Sequence, residues 1–214
     1  MAGKVRKPTM VLLVRHGQTP TTGSVLPGRA PGLHLSDRGR EQADQAAARI
    51  AALGAERIGA VYASPMERAR ETAAPIARAT GRRVRVLDGL NECDFGRWTG
   101  RRLSDLRRRR DWRQVQRTPS TFRFPEGESF AEMQARMTGA VQSLVARHPG
   151  ATVVAVSHAD TIKAAVSHAS GAHLDMFQRI VVSPCSITVI AYGEDGPMVL
   201  AVNSTSDLSA LVPS

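Results

Sequence analysis

Short unbroken apolar runs alternate along this chain with segments whose apolar residues recur at helical spacing, a pattern that predicts βα units. Met10 to Val14 is one such run and suits a strand buried on both faces. It stops at Arg15, His16 and Gly17, so a buried strand delivers a cation, an imidazole and a flexible hinge to its carboxyl end. In open parallel sheets ligands bind just beyond those ends. Glycine after the histidine lets the backbone turn tightly and approach a ligand closely.

Pro20 to Leu35, rich in Gly, Pro and Thr, predicts a long loop over that strand end. Ser36 is placed as the N-cap of a helix whose Ala43, Ala46, Ala47, Ile50 and Ala51 share one face until Gly54 closes it. Ile58 to Ala63 predicts a second strand. Ser64-Pro65 then reads as a helix start, with Ser64 as cap and Pro65 at the first helical position, which puts Arg68 in the first turn, on the same rim as Arg15 and His16. Pro75 is expected to interrupt this helix with a kink before Gly81. Val84 to Leu87 suits a short strand.

From Asp88 to Glu128 the periodicity lapses, and the segment reads as an insertion covering the site. Ser129 and Glu132 form an S-x-x-E capping box that opens a helix with the apolar stripe Phe130, Met133, Met137, Val141, Leu144 and Val145. Ala151 to Ser157 is another continuous apolar run, and it ends at His158. A helix over about Asp160 to Ser170 follows. Cys185 to Ala191 and Met198 to Val202, joined by Y-G-E-D-G-P, predict a closing hairpin, and the last dozen residues are expected to be loosely held. These elements imply an α/β fold: a three-layer sandwich with a mostly parallel central sheet, helices on both faces, and one domain over residues 1–214 with 88–128 as an inserted cap.

Composition changes this picture little. Of 214 residues, 42% are apolar and 22% charged, as in ordinary soluble chains, and no apolar run approaches the ~20 residues of a membrane span. The basic start, M-A-G-K-V-R-K-P-T, leads into a short apolar run with no small-residue cleavage site, so the sequence predicts a cytoplasmic protein rather than a secreted one. Cys93 and Cys185 match no metal or disulfide spacing. The net charge of +10 favours anionic partners. An arginine cluster from Arg101 to Arg113 raises a nucleic-acid-binding alternative, but no aromatic stacking platform or nucleic-acid motif accompanies it, and such runs are usually solvated faces. Nucleic acid and membrane are therefore not expected as partners, whereas steering of phosphorylated substrates is. An exposed sheet edge near the strand after Val84 offers a surface for a homodimer.

Three strand ends present Arg15 with His16, Arg68, and His158, which together suit a dianion. Arginine's planar fork matches phosphate oxygens bidentately. With phosphate held, a neutral imidazole can attack phosphorus in line, and His16 is the candidate nucleophile provided its other ring nitrogen donates to a fixed acceptor such as a nearby backbone carbonyl. The leaving alkoxide needs a proton, for which Glu92 is the candidate and Asp94 the fallback, unless either carboxylate merely pairs with an arginine. Other phosphatase chemistries fit poorly: neither cysteine has an arginine six residues on, and there is no D-x-D pair or G-x-x-x-x-G-K-[ST] loop.

Taken together these residues resemble the histidine phosphatase superfamily, also called phosphoglycerate-mutase-like. R-H-G at Arg15 to Gly17, S-P-M-E-R-A-R-E-T-A at Ser64 to Ala73, L-N-E-C-D-F-G-R-W-T-G at Leu90 to Gly100 and V-S-H-A at Val156 to Ala159 are similar to its segments, in its order, over almost the whole chain. The resemblance implies that His16 is transiently phosphorylated, that Arg15, Arg68 and His158 bind phosphate, that Glu92 donates the proton, and that no metal or organic cofactor is needed. It also implies phosphate contacts from Gly17, from Thr22, which replaces a frequent Asn, and from the backbone of Ala159, which replaces a usual Gly. Thr99 stands where Glu is common. Pro27 precedes Gly28 where phosphoglycerate mutases have a Thr-Gly pair, which, with a chain shorter than typical mutases, favours a phosphomonoester hydrolase acting on a small phosphorylated metabolite over the alternative, a phosphoglycerate-type phosphomutase.

Overall fold

The computed structural model describes residues 7–206. Strands β1 (Thr9–Arg15), β2 (Ile58–Ala63), β3 (Val84–Val86), β4 (Thr152–Ser157), β5 (Ile187–Gly193) and β6 (Gly196–Ser204) form one sheet in the order β3-β2-β4-β1-β5-β6. The β3, β2, β4 and β1 neighbours pair parallel, and β5 runs antiparallel to β1 and β6. Strands β1 and β4 lie at the centre, and that is why they read as continuous apolar runs rather than as alternating ones.

Helices α1 (Asp37–Ala51) and α2 (Glu67–Ala79) cover one face, where Ala47, Ile50, Ala73 and Ile76 meet Leu12, Val14, Val154 and Val156. Helices α5 (Phe130–Arg147) and α6 (Ala159–Ala169) cover the other, setting Met137, Val141, Leu144, Ile162 and Val166 on Val11, Leu13, Val153 and Ala155. Side chains that alternate along β1 and β4 thus enter two separate cores. The capping box at Ser129 and Glu132 is present, with both reciprocal bonds made.

Three local readings need correction. Helix α2 begins at Glu67 behind an uncapped Met66, not at Ser64-Pro65. The Ser64 oxygen accepts from Met66 N at 3.3 Å, just ahead of the helix, and the same hydroxyl lies 2.8 Å from His158 Nε2 and 3.4 Å from Asn91 Oδ1. Nor does Pro75 interrupt α2, which runs through it to Ala79. The C-terminal hairpin is longer than its apolar residues suggest: β6 continues through Asn203 and Ser204, so part of the segment expected to be loose is strand, while residues 207–214 lie outside the described residues.

Residues 88–128 contain three short 3-10 turns and two short helices, α3 (Leu103–Leu106) and α4 (Arg110–Arg117). They carry a third apolar cluster of Phe95, Trp98, Phe122 and Phe124, which packs on Phe130 and Met133 of α5. The loop after β1 is joined to this segment by backbone bonds from Leu26 N to Arg101 O, Gly100 N to Leu26 O and Leu103 N to Ser24 O. The two stretches therefore form one continuous wall above the carboxyl ends of the strands.

Candidate active site

Strand register brings the two chain-distant histidines together. Arg15 pairs opposite Ser157 across the β1/β4 ladder, and His16 N extends the ladder by donating to Ser157 O at 3.0 Å. His16 and His158 are therefore adjacent, with ring centroids 5.2 Å apart. Arg68, entering from the first turn of α2, places its guanidinium against both: Nε donates to His16 Nε2 at 3.3 Å, and Nη2 lies 3.3 Å from His158 Nδ1. Nη2 also donates to Gly28 O at 2.8 Å.

These contacts fix both tautomers. A guanidinium only donates, so His16 Nε2 must carry a lone pair, and its proton sits on Nδ1, which donates to Gly17 O at 2.8 Å. His158 takes the opposite tautomer, accepting at Nδ1 and donating from Nε2 to the Ser64 hydroxyl at 2.8 Å. Burial first, then the charges of Arg68 and, for His16, Arg15, holds both imidazoles well below the ordinary histidine range. Both rings are neutral at neutral pH, and His16 presents a nucleophilic nitrogen.

Donors for an anion stand beside it. Arg15 is anchored by Nη1 to Val182 O at 2.7 Å, and its Nε, like Nη1 of Arg68, is buried without a protein acceptor among the described residues. Buried donors are rarely left unmet, so two unpaired guanidinium nitrogens next to a nucleophile suit the oxygens of a phosphoryl group. Arg15, His16, Thr22, Glu92 and Ala159 line a cavity of about 520 Å³. Arg68 and His158 sit directly behind that surface, fully covered.

Glu92 reaches the cavity from the loop after β3. Its Oε2 lies 3.8 Å from His158 Nδ1, and its Oε1 accepts from Cys93 N at 2.9 Å. Burial, aided by the negative charge of Asp160 and opposed by Arg68 and Arg15, pushes the carboxyl up to about 7, where it can hold a proton near neutrality. Asp94, the fallback acid, points elsewhere: its carboxylate accepts from Gly96 N and lies 3.9 Å from Arg29.

Two of the expected phosphate contacts have other partners. The Gly17 amide donates to Thr72 Oγ1 at 3.0 Å, and a Cβ on Gly17 would stand 2.5 Å from Gly39 O. This glycine lets α1 approach the end of β1. Thr22 lines the cavity, but its hydroxyl accepts from Thr19 N at 2.8 Å and lies 3.0 Å from Thr19 Oγ1. Ala159 opens α6, so its amide belongs to the unpaired first turn at the cavity wall. Among the described residues, no three His, Cys, Asp or Glu side chains stand close enough to hold a metal ion.

Sequence reasoning missed the residues that hold these groups in place. Ser64 is the partner of His158, and Thr72 links Gly17 to α2 by donating to Arg68 O at 2.7 Å. The backbone of the acid loop is clamped by Arg136, which donates to Gly89 O, Asn91 O and Glu92 O at 2.9–3.2 Å, and by Arg29, which donates to Glu92 O at 2.8 Å. Glu128 joins the two arginines, 2.8 Å from Arg136 and 2.9 Å from Arg29.

A sheet whose strand ends gather paired imidazoles, guanidinium groups and a proton-holding carboxyl presents the groups that phosphoryl transfer through a histidine requires. The chain belongs to the histidine phosphatase superfamily (branch 1), which it matches over residues 11–205. It is 35% identical over 210 residues to the bifunctional protein Rv2228c of Mycobacterium tuberculosis, covering 94% of this chain and 55% of that protein, so the chain spans about half the length of this relative. It is 31% identical over 203 residues to phosphoserine phosphatase 1 of Hydrogenobacter thermophilus, covering 92% and 93% of the two chains. The solved structure of Bacillus stearothermophilus YhfR superposes with a TM-score of 0.84 at 27% identity, over 92% of this chain and 98% of that one.

Proposed function

We propose that this chain hydrolyses phosphomonoesters through a phosphohistidine on His16. The observation that carries this reading is the Arg68 Nε contact at 3.3 Å, which obliges His16 Nε2 to present its lone pair. In the first half-reaction that lone pair attacks phosphorus while Arg15 and Arg68 stabilise the equatorial oxygens. The ester P–O bond breaks, and Glu92 gives its proton to the leaving oxygen, so an alcohol departs. In the second, the Glu92 carboxylate takes a proton from water as the oxygen attacks phosphorus. The P–N bond breaks, and phosphate and neutral His16 are restored. Gly17 acts in this scheme by seating His16, Thr22 by shaping the loop, and the Ala159 amide by facing the anion.

The relative from Hydrogenobacter thermophilus, a phosphoserine phosphatase, supports hydrolysis and a small phosphorylated metabolite as substrate. A phosphomutase would share the first half-reaction but must hold the product alcohol for return of the phosphoryl group; the walls beyond the floor are mainly apolar and offer a sugar acid few partners. We place the protein in the cytoplasm, a reading that free, buried Cys93 and Cys185 support, and no helix of the described residues is long and apolar enough to cross a membrane. A homodimer would use the exposed edge of β3, where light scattering of the purified chain provides the test. Phosphate release from a panel of phosphomonoesters, compared with isomerisation of a phosphoglycerate, tests the assignment: release dominates and His16→Ala abolishes it. Dominant isomerisation would overturn it.

A further inference from the structure

Above the phosphate floor the cavity changes character. Its walls are Leu26, Phe95, Trp98, Leu103, Trp112 and Val115, supplied by the loop after β1 and by residues 88–128. The charged groups on this part are few. Asp160 and Lys163 are paired with each other at 3.3 Å, and Lys163 lies 3.3 Å from Gln178. Arg107 is exposed and has no ion-pair partner among the described residues.

Helix α4 explains the apolar wall. Trp112, Val115 and Gln116 fall at i, i+3 and i+4 on one face and line the cavity, while Arg110, Arg113 and Arg117 are exposed. An amphipathic surface helix ordinarily turns its apolar stripe onto a core. Here part of that stripe faces open space above a nucleophile. Trp98 is 3% exposed and wedged against Phe122 and Phe124, whereas Trp112 is only half-buried. The two indoles lie nearly parallel, 19° apart in plane with centroids 6.3 Å apart, so Trp112 presents a flat apolar surface braced from behind.

Resting on the phosphatase reading above, we propose that this site selects phosphomonoesters of alcohols bearing a flat apolar ring system, which packs against Trp112, Leu26 and Leu103 while the phosphate occupies the floor. A cavity of about 520 Å³ exceeds what a phosphoryl group and a few carbons fill, and its apolar walls are solvated at a cost that a ring would remove. Arg107, near the mouth, assists entry of the anion.

The test compares 2-(naphthyl)ethyl phosphate with ethyl phosphate, whose leaving alcohols are alike, on the wild type, Trp112→Ala and Trp112→Phe. The wild type shows a kcat/KM at least about tenfold higher for the naphthyl ester, expressed mainly in KM. Trp112→Ala lowers kcat/KM for the naphthyl ester at least about fivefold more than for ethyl phosphate, and Trp112→Phe restores most of the preference. Equal kcat/KM values in the wild type, or an equal loss on both esters in Trp112→Ala, overturn the proposal. If neither ester is hydrolysed, the phosphatase reading has failed, and calorimetry with the matching phosphonates decides the pocket alone: a tenfold naphthyl preference lost in Trp112→Ala supports it, and equal affinities overturn it.

Discussion

Arg68 Nε lies 3.3 Å from His16 Nε2, although the two residues are 52 positions apart in the chain. A planar fork with several donors is needed there, because the same guanidinium also reaches His158 and Gly28 O. Arg68→Lys keeps the charge but offers one compact ammonium, which cannot hold both imidazoles in opposite tautomers. We expect kcat/KM to fall by about 10²-fold or more in a steady-state assay. A loss under about threefold would show that the fork is dispensable.

In the proposed reaction Glu92 sets the upper side of the pH profile. Burial pushes its carboxyl up to about 7, and a general acid must be protonated, so kcat/KM on alkyl esters is expected to fall as pH rises through that value. The histidines, held well below their ordinary range, are already neutral there and add no fall on the same side. In Glu92→Gln, turnover of an alkyl phosphate drops by about 10²–10⁴-fold, while an aryl phosphate with an acidic leaving group loses far less in the phosphorylation step. Equal losses on both substrates in a single-turnover assay would remove Glu92 from the proton-donor role.

Positioning of that carboxyl depends on a belt of charge. Arg136 donates to three successive stretches of backbone before Cys93 and is held by Glu128, which also pairs with Arg29. Arg136→Met removes those donors and keeps a similar volume. It lowers kcat more than it raises KM, by about tenfold, and shifts the pH at which activity falls. An unchanged pH profile with a lower melting temperature would mean that the belt serves stability alone.

How much of this was legible without coordinates depends on the range of each signal. Strands β1 and β4 announce themselves as unbroken apolar runs because both their faces are buried, and each ends one residue before a histidine. The capping box at Ser129 and Glu132 was equally readable, since its bonds span three residues. Ser64 was legible only in part: its oxygen accepts from Met66 N as a serine before a helix does, but the helix starts at Glu67, and the bond to His158, 94 positions away, has no local trace. The same reason hid Gly17, whose close neighbour is Gly39, and the clamp on the acid loop, where Arg29, Glu128 and Arg136 meet from three separate elements. Pro75 reads as a helix breaker on propensity, yet tertiary burial keeps α2 intact around it.

The arginine cluster is expected to act at longer range. Arg107 lines the cavity, and Arg108 to Arg110 are exposed beside it. Replacing Arg107, Arg108, Arg109 and Arg110 with Gln should lower kcat/KM several-fold at low ionic strength and much less near ~0.5 M salt, where the Debye length is short. An identical salt dependence in variant and wild type would exclude steering.

The central claim is that phosphorus becomes bonded to His16 during turnover. Rapid mixing of the enzyme with a phosphate-labelled ester, an alkaline quench that preserves phosphohistidine, and peptide mass spectrometry measure it directly. Stoichiometric, base-stable label is expected on the peptide containing His16, formed faster than turnover and absent from His16→Ala. Turnover without such label, or wild-type hydrolysis by His16→Ala, would contradict it.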